Sequence, residues 1–352
     1  MRRAAPPYAC VRTIHTIRGR MVTTSPTSAP LAEEVLPDVY RIACPFGEGG
    51  IVFVYYLDAP EPALIDNGVN SSPAGEIEPA LNALGKTLVE VRHLFNTHGH
   101  WDHMGGNERV LRLAPDAKTY LHKNDQHLMQ SADAHVTGYS SYAVRVLETP
   151  GGLEQVDHLQ RASIDAPTRV DVSVSDGQVI DLGGGKHVRV VTTHGHSNGS
   201  TSYLLEGEGA LFTGDGIQGS GSRPGQLPLV FDDSKAYRST IAKVSDLGVK
   251  ALCMGHGFSG LNAESGRDSV RQGADAQRFL EESGEAAKVV EEAARSVLQE
   301  TPDLAFRDFA KRLFGRIAGQ LGTELDEHGM SVRSMATVHA FYRELTGAPL
   351  PA

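Results

Sequence analysis

The first part of the chain alternates short apolar runs with polar turns, beginning near residue 35. Three of these runs, "DVYRIAC", "GIVFVYYLD" and "ALIDNG", are rich in β-branched and aromatic residues and predict strands. The stretch "SPAGEIEPALNALG" has helical spacing, and "TLVEVRHLFNTH" predicts a further strand. A strand followed by a helix and another strand indicates an α/β arrangement of layers.

Beyond Asn262 the apolar spacing becomes helical. The stretch from "SVRQGADAQRFL" to "KVVEEAARSVLQE" predicts one long or broken helix. Thr301 followed by Pro302 predicts the start of the next helix, and Ser331 is placed to cap a last one. We therefore predict a disordered leader over residues 1–32, an α/β domain over residues 33–262 and a C-terminal helical domain over residues 263–352.

The segment "FNTHGHWDHMGGN" contains four side chains of the kind that bind metals, and they fall within six consecutive residues. His98 and His100 alternate in an extended stretch, which sends both side chains towards one point. Asp102 and His103 follow a bend and face a second point nearby, and Asn107 predicts the start of a helix. This spacing suits two metal ions better than one.

Three more residues with metal-binding side chains each follow a predicted strand. The run "HVRVVTT" precedes His196, "ALFTG" precedes Asp215 and "VKALCMG" precedes His256. Loops at strand ends can vary without disturbing the core, so functional residues concentrate there. We expect these three residues to converge on the same site as the first four.

The motifs "THGHWDH", "HGHSNGS", "LFTGDG" and "CMGHG", in this order, resemble those of the metallo-β-lactamase-fold hydrolase superfamily over residues 35–260. The resemblance implies a four-layer αβ/βα sandwich with the site along one sheet edge. It also implies two metal sites, the first formed by His98, His100 and His196, and the second by Asp102, His103 and His256, with Asp215 bridging them.

Two further residues are interpreted through the same resemblance. Asp66, in "LIDNG", resembles the aspartate that supports the ligand loops of the family through hydrogen bonds. His194 stands where the family usually has proline, and is a spare imidazole near the metals. It either supports the ligands or competes with His196 as one.

Imidazole and carboxylate ligands without thiolate suit zinc, and also iron or manganese. Two Zn(II) ions are the default expectation, because they lower the pKa of a shared water towards ~7 and make hydroxide available. The resemblance to glyoxalase-type hydrolases, acyl-thioesterases and quorum-signal lactonases implies a small acyl substrate: an ester, thioester or lactone. Asp102 or water is expected to deliver a proton to the leaving group.

Residues 123–169 are weakly patterned and predict a part-helical cover over the substrate pocket. Four of its side chains are candidates for contact with the substrate: His127, His135, Tyr139 and Tyr142. A second lip is predicted by the stretch "GIQGSGSRPGQLPLVFDD", which begins directly after Asp215.

Composition narrows the range of partners. The formal net charge is -10 and there is no block of basic residues, which disfavours nucleic acid as a ligand and the nucleases of the same fold. Three widely spaced cysteines disfavour a disulfide framework, and no apolar run approaches the ~20 residues of a membrane span. Because the N-terminus lacks the apolar segment of a secretory signal, we expect a cytoplasmic protein.

Several alternatives stay open. The same fold with iron supports oxygenase chemistry, although His100 stands where flavodiiron proteins typically have Glu. A pseudo-enzyme that uses the site for regulation is opposed by the complete ligand set. The resemblance also implies that the C-terminal helices either lie over the site or form a homodimer contact.

Overall fold

The first sheet is built from the N-terminal half of the chain in the computed structural model, which describes residues 31–47, 49–137, 151–165, 167–223, 225–331 and 334–349. Its seven strands lie side by side in sequence order, antiparallel from the first to the fourth and parallel from the fourth to the last. They are β1 (Glu33–Leu36), β2 (Val39–Phe46), β3 (Gly50–Leu57), β4 (Ala63–Ile65), β5 (His93–Phe95), β6 (Lys118–His122) and β7 (Val172–Val174).

The second sheet has six strands in the reverse of sequence order. All of its neighbouring strands are antiparallel except the parallel pair β11 and β12. Its strands are β8 (Val179–Asp181), β9 (His187–Thr192), β10 (Thr201–Leu205), β11 (Ala210–Gly214), β12 (Ala251–Ser259) and β13 (Arg267–Gln272).

Helices connect the strands and follow the second sheet. They are α1 (Glu78–Ala83), α2 (Trp101–Met104), α3 (Asn107–Leu113), α4 (Gln126–Gln130), α5 (Ala132–His135), α6 (Gly152–Ser163), α7 (Ser234–Asp246), α8 (Ala274–Glu300), α9 (Phe306–Leu321) and α10 (Met335–Thr346). Helices α4, α5 and α6 lie within the predicted cover segment. None of the described helices combines the length and the apolar character needed to cross a membrane.

Three apolar clusters define the layers. Side chains of both sheets, including Tyr55, Phe95 and Phe212, pack together between the sheets. Helices α1 and α3 cover the outer face of the first sheet, and α7 and α8 cover the outer face of the second. This order of helix, sheet, sheet and helix confirms the predicted αβ/βα sandwich. A fourth cluster joins α8, α9 and α10, which form the C-terminal helical region.

Strand β13 departs from the prediction, because the sequence beyond Asn262 predicts helices only. Its buried positions are Ser269 and Arg271 rather than apolar residues. An apolar pattern cannot reveal a strand whose inward side chains are polar. The helices therefore begin at Ala274, after this last strand.

Two predicted helix starts are also wrong. The helix expected from Thr301 begins at Phe306, after Ala305, and the hydroxyl of Thr301 instead accepts a hydrogen bond from Arg312. The last helix follows Ser334 rather than Ser331. Residues with good capping chemistry can be recruited by tertiary contacts, which the sequence pattern does not reveal.

Candidate metal centre

The first candidate ligands lie in the turn between β5 and α2. His98 and His100 precede the helix, and the backbone of His100 is extended. Asp102 and His103 belong to the first turn of α2. Because the backbone changes from extended to helical between them, the two pairs face different neighbours.

His98 and His100 meet His196, which follows β9 of the second sheet, and the donor atoms of the three lie within 4.8 Å of one another. The Nε2 atom of His196 is 2.8 Å from Nδ1 of His100. Burial, reinforced by the neighbouring imidazoles, lowers the pKa of His98 and His100 well below the usual value. These two rings are therefore neutral near pH 7, and their lone pairs are available to a cation.

A second cluster contains Asp102, His103 and His256, again with donor atoms within 4.8 Å of one another. The Nε2 atom of His256 lies 3.3 Å from Oδ2 of Asp102. The sequence suggests a loop after β12 for His256, but the residue lies within that strand, where the pairing with β13 is interrupted.

Asp215, at the end of β11, faces both clusters. Its Oδ2 atom is 3.5 Å from Nε2 of His196, and its Oδ1 atom is 3.5 Å from Nε2 of His103 and 3.6 Å from Nε2 of His256. One carboxylate is thus positioned to contact an ion in either cluster.

In four of the histidines the Nδ1 atom is hydrogen-bonded to an oxygen atom of the protein, and this contact fixes the orientation of the ring. Because these acceptors take a hydrogen bond from Nδ1, the lone pair on Nε2 is directed to the centre. The contacts are His98 to Thr97 Oγ1 at 3.0 Å, His103 to Asp66 Oδ2 at 2.8 Å, His196 to the Leu229 carbonyl at 2.6 Å and His256 to the Ile51 carbonyl at 2.7 Å.

Asp66 lies behind the centre at the end of β4, with a backbone φ of 60°. Besides His103, it accepts hydrogen bonds from the backbone and hydroxyl of Thr97 at 2.8 and 2.9 Å. It therefore connects the residues on both sides of the ligand turn.

The residues fit a pair of divalent cations. Nε2 of His98, Nε2 of His103 and Oδ1 of Asp215 are buried and have no hydrogen-bond partner among the described residues. Burial opposes a charge on His103, but Asp215, Asp102 and Asp66 outweigh it and raise the pKa of His103 to about 10. The carboxylates that favour a proton there also favour a metal cation between them. Three imidazoles in one cluster, and imidazole with carboxylate in the other, are donor sets typical of zinc, iron or manganese.

Comparison with known proteins agrees with this geometry. The model of the metallo-beta-lactamase superfamily matches residues 47–256. The chain belongs to this superfamily. Its matched region runs from the end of β2 through His256 and includes all seven clustered residues.

Relatives within the superfamily are distant. An atrochrysone carboxyl ACP thioesterase of Pseudocercospora fijiensis is 23% identical over 237 residues, which cover 65% of this chain and 55% of that protein. The uncharacterized protein YobT of Bacillus subtilis is 29% identical over 209 residues, or 56% of this chain and 78% of that protein. This chain thus spans little more than half the length of the thioesterase.

A solved structure extends the likeness to almost the whole described fold. A metallo-beta-lactamase family protein from Thermus thermophilus has a TM-score of 0.64 and 21% identity, and the match covers 90% of this chain and 98% of that one. At this identity the likeness concerns the superfamily fold alone.

The other predicted site residues that the structure describes do not join the clusters. The half-buried His194 donates from Nδ1 to the carbonyl of Asn198 and packs against His122 at 4.9 Å between ring centres, and it belongs to none of the three-residue clusters found among the described residues. His127 is exposed on α4. His135 is buried behind His100, and its Nε2 lies 3.1 Å from Oε1 of Gln160. Tyr139 and Tyr142 lie outside the described residues.

A cavity of about 760 Å³ opens onto the centre. Neither His127 nor His135 lines it, whereas Gln160 of α6, which contacts His135, does. The lining combines aromatic, amide and charged side chains. Beyond the residues of the centre they include Phe46, Trp101, Gln160, Gln218, Arg223, Gln226, Phe231, Phe258, Arg267 and Glu324.

Sequence reasoning missed Asp125, a buried residue just before α4. Its Oδ2 accepts hydrogen bonds from the backbone N–H of Gly99 at 3.0 Å and from the hydroxyl of Ser197 at 2.7 Å. A Cβ atom at Gly199 would lie 2.3 Å from Cγ of Asp125, so this close approach requires glycine. Asp125 thereby joins the turn of His98 to the loop of His196, across a sequence distance that no local motif reveals.

Gln218 is a second residue that the motifs do not single out. Its amide nitrogen donates to the backbone carbonyls of Asp215 and Leu229 at 2.9 and 3.0 Å. Its amide oxygen accepts from the N–H of Leu229 at 2.8 Å. It ties Asp215 to the loop that forms the predicted second lip.

Proposed function

We propose that this protein is a dinuclear metal-dependent hydrolase that cleaves a small acyl substrate: an ester, thioester or lactone. The observation that carries the proposal is the pair of donor clusters that share Asp215 beneath an open cavity. Membership of the superfamily and relatives named as acyl carrier protein thioesterases support the same chemistry.

His98, His100 and His196 would hold one ion, Asp102, His103 and His256 the other, and Asp215 would contact both. Two Zn(II) ions are the proposed cofactors. When bound, such ions supply Lewis acidity that lowers the pKa of water and polarises an acyl carbonyl.

The chain itself contributes orientation and proton handling. Phe231 packs against His100 and His196, with ring centres 5.6 and 5.3 Å apart, and gives the cavity an apolar wall beside the reacting centre. Asp102 lines the cavity with its Oδ2 3.3 Å from His256, and we propose that it passes a proton from the attacking water to the leaving group. The fixed imidazole rings need little rearrangement during the reaction.

Elemental analysis of the purified chain, with turnover of acyl thioesters, acyl-homoserine lactones and aryl esters, tests the proposal. We expect about two zinc ions per chain and hydrolysis that a chelator abolishes and zinc restores. Two iron ions, oxygen consumption and no hydrolysis would instead support an oxygenase.

Asp215→Asn gives a sharper test of the shared carboxylate. We expect this variant to lose metal and to lower kcat/KM by about 100-fold or more, because one residue serves both clusters. Asp157→Asn, on the exposed face of α6, is the matched control and should behave as the unchanged protein. Full metal content and activity in Asp215→Asn would overturn the assignment of this residue.

A further inference from the structure

We propose that Arg267 forms an anion subsite in the cavity wall, and that the preferred substrate carries an anionic oxygen group away from the bond that is cleaved. The inference rests on the proposed hydrolase function and adds a substrate class to it. Such a subsite would favour acyl compounds that carry an anionic oxygen group over neutral esters and lactones.

The position of Arg267 is fixed by the strand that carries His256. Arg267 begins β13 opposite Ser259 of β12, and its side chain turns back along β12. Its Nε donates a hydrogen bond to the carbonyl of Gly257 at 2.7 Å. This carbonyl belongs to the residue that follows His256, so the guanidinium is anchored next to the metal centre.

The absence of a side chain at Gly257 permits this arrangement. A Cβ atom there would lie 3.3 Å from Nε and 3.4 Å from Cγ of Arg267, a tighter approach than most side chains accept. The Nε of Arg267 is thus bonded to the backbone of β12, and this contact leaves the two terminal nitrogens of the guanidinium unengaged.

No carboxylate of the described residues neutralises these nitrogens. Among the described residues, the Arg267 side chain makes one polar contact, which is with the carbonyl of Gly257. The adjacent Asp268 is engaged by Arg41 at 2.7 Å. Glu324 also lines the cavity, but within the described structure no ion pair joins it to Arg267. Arg267 is exposed, but unlike an ordinary surface arginine it is anchored to the backbone of β12 and lines the cavity of the candidate site.

The chemistry of the cavity matches an amphipathic anion. A guanidinium presents paired N–H groups that suit a carboxylate or another oxyanion, and it stays charged at any working pH. Phe46 and Trp101 contact each other in the same cavity with ring centres 5.1 Å apart. They provide an apolar surface for the uncharged part of the substrate.

Two pairs of esters test the subsite with the zinc-loaded full chain. Mono(4-nitrophenyl) glutarate against 4-nitrophenyl pentanoate places the charge on the acyl group, and 4-acetoxybenzoate against phenyl acetate places it on the leaving group. We expect kcat/KM to favour the charged member of at least one pair by about tenfold, the effect of one good ionic hydrogen-bonding contact.

Arg267→Gln should abolish that preference by lowering kcat/KM for the charged esters far more than for the neutral ones, and Arg267→Lys should keep part of it. High salt should weaken the preference in the unchanged protein. Arg278→Gln, an exposed arginine of α8, is the matched control and should retain the full preference. No preference in either pair, or equal loss on charged and neutral esters in Arg267→Gln, would overturn the subsite.

Trp101 allows binding to be measured without turnover, because it is the only tryptophan of the chain and lines the cavity. We expect phenylmethanesulfonate to change its fluorescence with an affinity about tenfold higher than that of benzyl methyl sulfone. Arg267→Gln should remove this difference. Binding that depends on Arg267 without ester hydrolysis would sink the hydrolase proposal and retain the subsite. Hydrolysis without a preference for the charged compounds would retain the hydrolase proposal and overturn the subsite. Failure of both measurements would overturn both proposals.

Discussion

A single buried carboxylate holds together two loops that carry candidate ligands. Asp125 joins the turn of His98 and His100, which follows the first sheet, to the loop of His196, which belongs to the second. Ligand side chains bind a cation well only when their backbone is held in place before binding. At the scale of the residue, Asp125 is therefore a positioning residue rather than a ligand.

Asp125→Asn should weaken zinc binding by about 10–100-fold, because an amide cannot reproduce the charged acceptor that Gly99 and Ser197 share. Competition with a chromophoric chelator measures the affinity, and circular dichroism checks that the chain remains folded. Asp171→Asn is a suitable control, since Asp171 also accepts backbone and hydroxyl hydrogen bonds but lies at the end of the first sheet. Equal metal affinity in both variants would contradict the role of Asp125.

The helix α10 forms part of the cavity wall. Ser334 accepts a hydrogen bond from the N–H of Leu227 at 2.9 Å, and Thr337 accepts one from Val230 at 3.0 Å. Arg343 donates to the carbonyl of Phe231 at 2.9 Å. The C-terminal helical region thus supports the lip that carries Phe231. A homodimer contact stays a prediction.

Thr337→Val keeps the shape of the side chain but removes its hydrogen bonds to Val230 and to the carbonyl of Pro228. Leaving these buried groups unpaired should lower the free energy of unfolding by about 1–3 kcal/mol. We also expect KM to rise, because the lip with Phe231 loses an anchor. Urea unfolding and ester kinetics measure the two effects.

Thr346→Val is the control on the same helix, since its hydroxyl is exposed and bonds only locally to the carbonyl of Tyr342 and the N–H of Ala348. It should change neither quantity appreciably. If the two variants behave alike, the lip does not depend on Thr337.

The sequence predicts elements best where chemistry and local pattern agree. The apolar alternation of β2 and β3 and the helical spacing of α8 correspond to the observed elements. Strand β13 escapes prediction because Ser269 and Arg271 face inward. In the candidate site, motifs point to the clustered histidines, whereas Asp125 acts through contacts with residues 26 and 72 positions away. Gln218 and Arg267 act through contacts with backbone carbonyls that no sequence motif marks. Only the folded backbone brings such partners together.

At the scale of the whole molecule, a network of charged side chains fastens the C-terminal helices to the sandwich. Arg238 of α7 contacts Glu344 of α10 at 2.7 Å and Glu291 of α8 at 2.9 Å. Burial opposes the charge on Glu344, but hydrogen bonds from Arg238 and Ser234 outweigh it and lower the pKa of this carboxyl. One arginine therefore links three helices.

Glu344→Gln should lower the free energy of unfolding at pH 7 by about 1–2 kcal/mol, since these groups are largely buried. Because the folded pKa lies below the unfolded value of about 4.3, the ionised carboxylate stabilises the fold above that pH. The contribution disappears as pH falls through the folded pKa. Urea unfolding should therefore show a gap between the two proteins that is constant near neutrality and closes below about pH 4.

Glu285→Gln, on the exposed face of α8, provides the control for this pH dependence. Its carboxylate lies 3.8 Å from Lys288 in an exposed pair, which contributes little to stability. A gap for Glu344→Gln that persists unchanged at pH 3 would show that the effect arises from packing rather than from the charge.

Removal of metal should loosen one edge of the molecule rather than the whole. The candidate ligands come from both sheets, so bound ions would link the sheets at this edge, and ions that bind only the folded state stabilise it by mass action. At a zinc concentration about 100 times Kd the gain is about 2.7 kcal/mol. Calorimetry should therefore find a lower Tm after chelation, and zinc should restore it.

Hydrogen exchange locates the effect. After chelation, exchange should accelerate in residues 96–104, 193–200, 213–218 and 254–258, which carry the clusters, because they lose the link between the sheets. The helices α9 and α10 pack in a separate apolar cluster and should exchange as before. Uniform acceleration would mean that the ions stabilise the chain globally, and no acceleration would mean that hydrogen bonds such as those of Asp66 and Asp125 already hold the edge without them.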